Sequence, residues 1–149
     1  MKKRINRKWS RDPLAFKKVF GKFQPFQPDE LLGINLPVRL AFQALRDGSA
    51  IEDDFHTPAA ALNVGLVRSE QFDGLAEQTA REGRDALMRC WERHERTQRW
   101  GFDGPGLQAV ADALDLHEHM LTISTPQEMH NAMVAVMNRQ TTGQVLTSA

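Results

Sequence analysis

The chain has 149 residues, of which 41% are apolar, with one cysteine, no tyrosine and no formal net charge. Its size suits a single core, its longest apolar run near Pro58 to Leu62 falls far short of the roughly 20 residues of a membrane span, and Cys90 alone cannot form an internal disulfide. Trp9, Arg11, Asp12, Lys17 and Lys18 occupy the place of a signal peptide's apolar stretch, so a cytoplasmic, reducing location is expected.

The neutrality is a cancellation. All six lysines (Lys2, Lys3, Lys8, Lys17, Lys18 and Lys22) lie in the first 22 residues with Arg4, Arg7 and Arg11, against Asp12 alone, a net +8. Residues 23–149 hold 10 arginines against 18 acids, a net −8. Residues 1–26 form a basic, aromatic N-terminal arm, 27–140 a helical body, and 141–149 a flexible tail.

Asp12-Pro13 opens a short basic helix to about Phe20, because proline's fixed φ and missing N–H cost nothing in a first helical turn. Asn35-Leu36-Pro37 opens the next, with Val38, Ala41, Phe42 and Leu45 on one face, Arg39, Gln43 and Arg46 opposite, and Gly48 as the stop. Ser49 and Glu52 form a capping box for a one- or two-turn helix that Thr57-Pro58 restarts in a new direction. The stretch from Pro58 to Val67 is apolar nearly all round, which suits a central helix.

The longest helix runs from about Asp73 to Arg99. Ala76, Ala80, Gly83, Leu87, Cys90 and His94 mark its inner face, and their small size permits close approach of a neighbour. Its outer face offers the pairs Glu77/Arg81, Arg81/Asp85, Asp85/Arg89, Glu92/Arg96 and Glu95/Arg99. A loop from Trp100 to Gly106 follows, anchored in the core by Trp100 and Phe102, with Asp103 as N-cap of a helix striped by Leu107, Val110, Ala111, Leu114 and Leu121. Thr125-Pro126, with Glu128 completing a capping box, opens a final helix striped by Met129, Ala132, Met133, Val136 and Met137. Strand alternation is nowhere sustained. The fold class is all-α, a single compact bundle of about five helices with the basic arm or short helix in front.

In the arm, cations interleave with Trp9, Phe16, Phe20, Phe23 and Phe26. Lysines neutralise phosphates and flat side chains stack on unpaired bases, so the arm fits nucleic acid or a nucleoprotein, with little base specificity. Its binding residues are Lys2, Lys3, Arg4, Arg7, Lys8, Trp9, Arg11, Lys17, Lys18 and Lys22. Two other readings stand beside this one. The phenylalanines could be core residues packing the arm onto the bundle, Phe16 and Phe20 being one turn apart. The basic arm could equally lie on the acidic body of its own or a neighbouring subunit. The segment from Pro13 to Phe20 is short for a membrane-surface helix, and no membrane partner is expected.

Chemistry-bearing patterns are few. Cys90 and His94 are one turn apart, with His117, His119 and His130 elsewhere, but no Cys-x-x-Cys or His-Glu-x-x-His motif joins them, and no metal site is expected. Glu52, Asp53, Asp54 and His56 could hold a cation or serve acid-base chemistry, although acids in a first helical turn ordinarily complement the dipole. Gly101 to Gly106 lacks the strand and Lys-Ser/Thr of a P-loop. Gln108 to Leu116 resembles the first helix and turn of a helix-turn-helix, followed by Glu118 and no cation before Arg139 to enter a groove. No nucleophile elbow surrounds any serine or Cys90. No enzymatic activity and no cofactor are expected.

The segments Arg4 to Pro13, Ala41 to Arg46 and Trp100 to Gly106 resemble small uncharacterised proteins of bacterial plasmids and prophages, over most of the chain. The resemblance carries no activity or site residues. It implies a setting in which small proteins regulate genes, join replication complexes or block host defences. The alternative function is a protein-binding inhibitor or anti-defence protein, engaging a host protein through an acidic helical face that includes Glu77, Glu82, Asp85, Glu92 and Glu95.

Overall fold

A computed structural model describes residues 21–141; the basic helix expected over 13–20 and most of the tail expected over 141–149 lie outside the described residues. After a single 3-10 turn at Gly21–Phe23 come five helices: α1 Pro28–Asp47, α2 Glu52–Ser69, α3 Gly74–Thr97, α4 Gly104–Thr122 and α5 Pro126–Gln140. No strand occurs among the described residues.

Pro28, and not Pro37, opens α1. Gln27 is an extended N-cap, Pro28 fills the first turn, and Asp29 and Glu30 complement the dipole there. Pro37 therefore sits inside a helix, where it removes the bond to the Gly33 carbonyl. Gly33 and Pro37 are both exposed, so water can satisfy that carbonyl and the helix continues. The expected stop is made: Gly48 takes the left-handed conformation at φ 80 and donates to the Ala44 carbonyl.

The expected break at Thr57-Pro58 is also absent. Helix α2 runs unbroken from Glu52, and its start is held by the Asp54 carboxylate accepting the Ile51 N–H at 2.9 Å rather than by Ser49. The Thr57 hydroxyl donates to the Asp53 carbonyl at 3.1 Å, and the Pro58 ring is fully buried. Packing overrides the local preference. As expected, α2 is central and contacts all four other helices.

Helix α3 begins where the sequence indicates, with Asp73 accepting the Ala76 N–H at 2.9 Å. Gln98 closes it in the left-handed region at φ 57. Ala80, Gly83, Leu87 and Cys90 form its buried face against α4. A Cβ on Gly83 would stand 2.2 Å from the Ala113 Cβ and 3.0 Å from the Ala109 carbonyl oxygen, so the glycine sets the closeness of this crossing.

Trp100 is buried after α3, stacked on His94 with ring centroids 3.7 Å apart and tilted against Trp91 at 5.9 Å. Phe55 stacks on Trp100 at 5.8 Å and is tilted against Trp91 at 4.8 Å. This aromatic cluster ties the loop to α2 and α3, with Leu45, Leu62, Leu87, Val110 and Leu114 completing the main core. Asp103 caps α4 by accepting the Gly106 N–H at 2.5 Å, and Thr125 caps α5 by accepting that of Glu128 at 3.2 Å.

Helix α5 departs from its expected stripe. Met129, Ala132 and Val136 are buried, whereas Met133 and Met137 are exposed, because α5 packs on α2 and on the Gly21–Phe23 turn and has no helix on its other side. Arg68 is 6% exposed and bridges α2 to α5, donating to the Ser124 hydroxyl at 2.9 Å and the Glu128 carboxylate at 2.9 Å, and also to Gln71.

Candidate functional site

Of the expected binding residues, Lys22 lies among the described residues; Lys2, Lys3, Arg4, Arg7, Lys8, Trp9, Arg11, Lys17 and Lys18 lie outside them. Lys22 sits on the Gly21–Phe23 turn with its ammonium 5.0 Å from the centroid of the Phe23 ring, and Phe23 is 60% exposed. It makes no ion pair with a carboxylate among the described residues. An exposed cation over an exposed ring offers a phosphate contact and a stacking face side by side. Phe26, three residues on, turns inward and lines a groove. The arm's aromatics thus divide at this point into one outward and one inward ring.

The arginines of the body are mostly spent on their own carboxylates. Arg39 donates to Glu118 at 2.6 Å and to Asp115, tying α1 to α4, and its pKa is raised chiefly by the Glu118 bond. Arg139 grips both Glu70 oxygens at 2.6 Å and holds that carboxyl below its usual range. Arg81 pairs with Glu77 at 2.7 Å as expected. Arg89 does not pair with Asp85; it reaches Asp103 at 3.2 Å, and this bond with the Gly106 N–H lowers the Asp103 pKa. Asp85 is nearest the adjacent Arg84 at 3.7 Å. The expected pairs Arg81/Asp85, Glu92/Arg96 and Glu95/Arg99 are not made among the described residues. Arg93 and Arg96 flank a shallow pocket of about 280 Å³ beside Gly101 and Phe102.

No group of three or more His, Cys, Asp or Glu side chains able to hold a metal ion occurs among the described residues. Cys90 is buried in the core, and burial pushes its thiol pKa up, away from a reactive thiolate. Near Glu52 and Asp53 the Asp54 carboxylate is committed to the α2 cap, while His56 lies against Phe55 and Trp91. Residues 108–116 sit inside unbroken α4, so the turn of a helix-turn-helix is absent there.

A feature that the sequence did not disclose is an apolar groove of about 420 Å³ between α1, α2, α4 and α5, lined by Phe26, Ile34, Val38, Leu121 and Met133, with His117 among the lining residues. His117 is 5% exposed, its Nδ1 has no hydrogen-bond partner, and burial lowers its pKa to about 4, so the ring is neutral near pH 7. It lies opposite Gly65 of α2, where a Cβ would stand 3.5 Å from that of His117, an ordinary contact distance. The groove suits apolar side chains. Among the described residues no helix is long and apolar enough to cross a membrane.

Comparison with protein-family models, with characterised proteins and with solved structures finds no match to this chain.

Proposed function

We propose that this chain is a non-enzymatic helical adaptor, of the kind carried by mobile genetic elements, whose basic N-terminal segment contacts nucleic acid or a nucleoprotein in the cytoplasm. The observation that carries the reading is the contrast in how charge is neutralised. Within the body, Arg39, Arg68, Arg81, Arg89 and Arg139 each bind a carboxylate. Lys22, the described residue that continues the basic run, has no such partner among the described residues and stands over an exposed ring. Cations that their own chain does not pair engage external phosphates, and the released counterions supply the affinity. Lysine's point charge positions a backbone and does not read bases, so binding is sequence-tolerant.

Fluorescence anisotropy with single- and double-stranded DNA and RNA tests this. If most of the cations engage phosphates, log K falls with log salt at a slope of roughly −5 to −8. Replacing Lys2, Lys3, Lys8, Lys17, Lys18 and Lys22 with Gln abolishes binding and leaves helical content unchanged. Absence of salt-sensitive binding to all four polymers refutes the reading.

A second reading, the protein-binding inhibitor, is favoured by the outer face of α3, where Glu82, Asp85, Glu92 and Glu95 are exposed and the expected neutralising pairs are largely missing. Such a row of acids imitates a phosphate backbone. It predicts a host partner that survives nuclease treatment and is lost when these four acids are changed to Gln or Asn.

A further inference from the structure

The outward side of α1 carries Leu32, Leu36 and Leu40, 62%, 48% and 62% exposed, while Val38, Ala41, Phe42 and Leu45 are buried on the opposite side. Single exposed leucines are ordinary on a soluble surface, but three at one-turn spacing make a continuous apolar ridge on a helix whose other face already fills the core. The ridge is anomalous for a monomer.

We infer that this ridge is the interface of a homodimer, formed by antiparallel pairing of α1 with α1 of a second copy across a two-fold axis at Leu36. The pattern itself selects a second copy as the occupant. Leu32 and Leu40 are each four residues from Leu36, and Asp29 and Gln43 are each seven residues from it. An antiparallel two-fold at Leu36 therefore sets leucine against leucine along the ridge, with Asp29 beyond it facing Gln43, a residue whose amide already answers Asp47 of its own chain, so that no like charges meet at the ridge ends. This is the self-complementarity that an isologous interface requires. Charge does not oppose the approach. Arg39, at the edge of the ridge, is already neutralised by Asp115 and Glu118 of its own chain, so no pair of bare guanidiniums meets across the axis. Gly33, beside the ridge, has no atom within 4 Å of where its Cβ would be, leaving room for a neighbouring backbone. Pairing two 20-residue helices in this way also puts two basic segments on one particle.

The inference is independent of the nucleic-acid reading, and the measurements keep the two apart. Light scattering on the full chain gives twice the monomer mass of 16.9 kDa. Leu36→Lys, which places like charges on the axis, returns that mass to the monomer value with unchanged circular dichroism. Leu36→Cys cross-links to itself under mild oxidation, Cys90 being buried and out of reach, whereas Leu32→Cys cross-links efficiently only when mixed with Leu40→Cys. The Lys-to-Gln chain stays dimeric, and if nucleic acid binds, Leu36→Lys reduces the salt slope to about half. A monomer at every concentration up to about 100 μM overturns the inference, whether residues 13–20 or a foreign protein proves to cover the ridge. Self-cross-linking of Leu32→Cys as efficient as that of Leu36→Cys overturns the antiparallel register.

Discussion

Acid should unfold this protein through His117 before its carboxylates matter. The folded ring titrates at about 4, against 6.5 for the unfolded chain, because it is almost wholly buried. Glu118 next to it favours the charged ring and Arg39 opposes it; burial exceeds both. The glycine facing the ring, Gly65 of α2, supplies no counter-charge, and Ile34 and Val38 of α1 and Ala61 and Val64 of α2, which also line the groove, are apolar. A depressed histidine pKa means that the unfolded chain binds more protons between pH 4 and 6.5, so stability is full above about 6.5 and falls as pH drops through that window. Linkage between these two pKa values gives a loss of about 2 kcal/mol on going from pH 7 to pH 5, and a limit of about 3 kcal/mol below pH 4. A shift of this size lowers the melting temperature by roughly 5–10 °C for a domain of this length. Urea titrations at pH 7 and pH 5 measure it, with His117→Met as control, since a thioether fills the site without titrating. The variant should lose less than half of what the native chain loses. Equal losses in the two proteins would refute the assignment; Glu70 and Asp103 could not account for such losses, because their lowered pKa values act only below about 4.5.

Gly83→Ala improves helix propensity by about 1 kcal/mol, yet the new methyl would meet the Ala113 Cβ at 2.2 Å, so a net destabilisation of about 1–3 kcal/mol is expected from the urea midpoint. A gain in stability would mean that α3 and α4 are less tightly fixed than described. Glu128→Gln removes the charge that faces buried Arg68 while keeping the Thr125 cap, and should cost about 1–2 kcal/mol; Arg68→Met together with Glu128→Gln should recover part of that loss. Additive losses in this double variant would show that the two residues are not coupled.

What could be seen in advance was local. Asp73, Asp103, Thr125 and Gly48 act within one turn of themselves, and each caps the helix end that its chemistry indicates. Pro37 and Pro58 misled because the same local rule was applied where it loses: one carbonyl is open to water, and the other proline is buried deeply enough for packing to hold the helix together. Starting α1 at Pro37 also hid Leu32 and Leu36 from any helical pattern, and with them the outer ridge. The charge pairs of α3 failed for a related reason. A guanidinium on a long stem reaches loops as easily as the next turn, and Arg89 chose Asp103. The groove was invisible because four helices and Phe26 line it together, bringing Ile34, Ala61, His117 and Met133 from distant parts of the chain, and no spacing within one helix encodes that meeting.

The acidic body is more than a counterweight to the basic segment. A body of net −8 competes with external phosphates for the segment. Part of that charge is answered within the body: its arginines take up Glu70, Glu77, Asp103, Asp115, Glu118 and Glu128, and the other acids on the outer face of α3, Glu82, Asp85, Glu92 and Glu95, are interspersed with Arg93, Arg96 and Arg99 of the same helix. Arginines interspersed among these acids make the field of that face on a cation beyond the ~8 Å screening length weaker than that of the acids alone. A polynucleotide, with one charge every ~1.7 Å along its axis, competes with it easily. The discriminating quantity is therefore salt: an intramolecular clasp onto the net −8 body would make binding rise at first as salt loosens it, whereas a segment clear of the body gives binding that falls monotonically from the lowest ionic strength, and the nucleic-acid reading predicts the second curve.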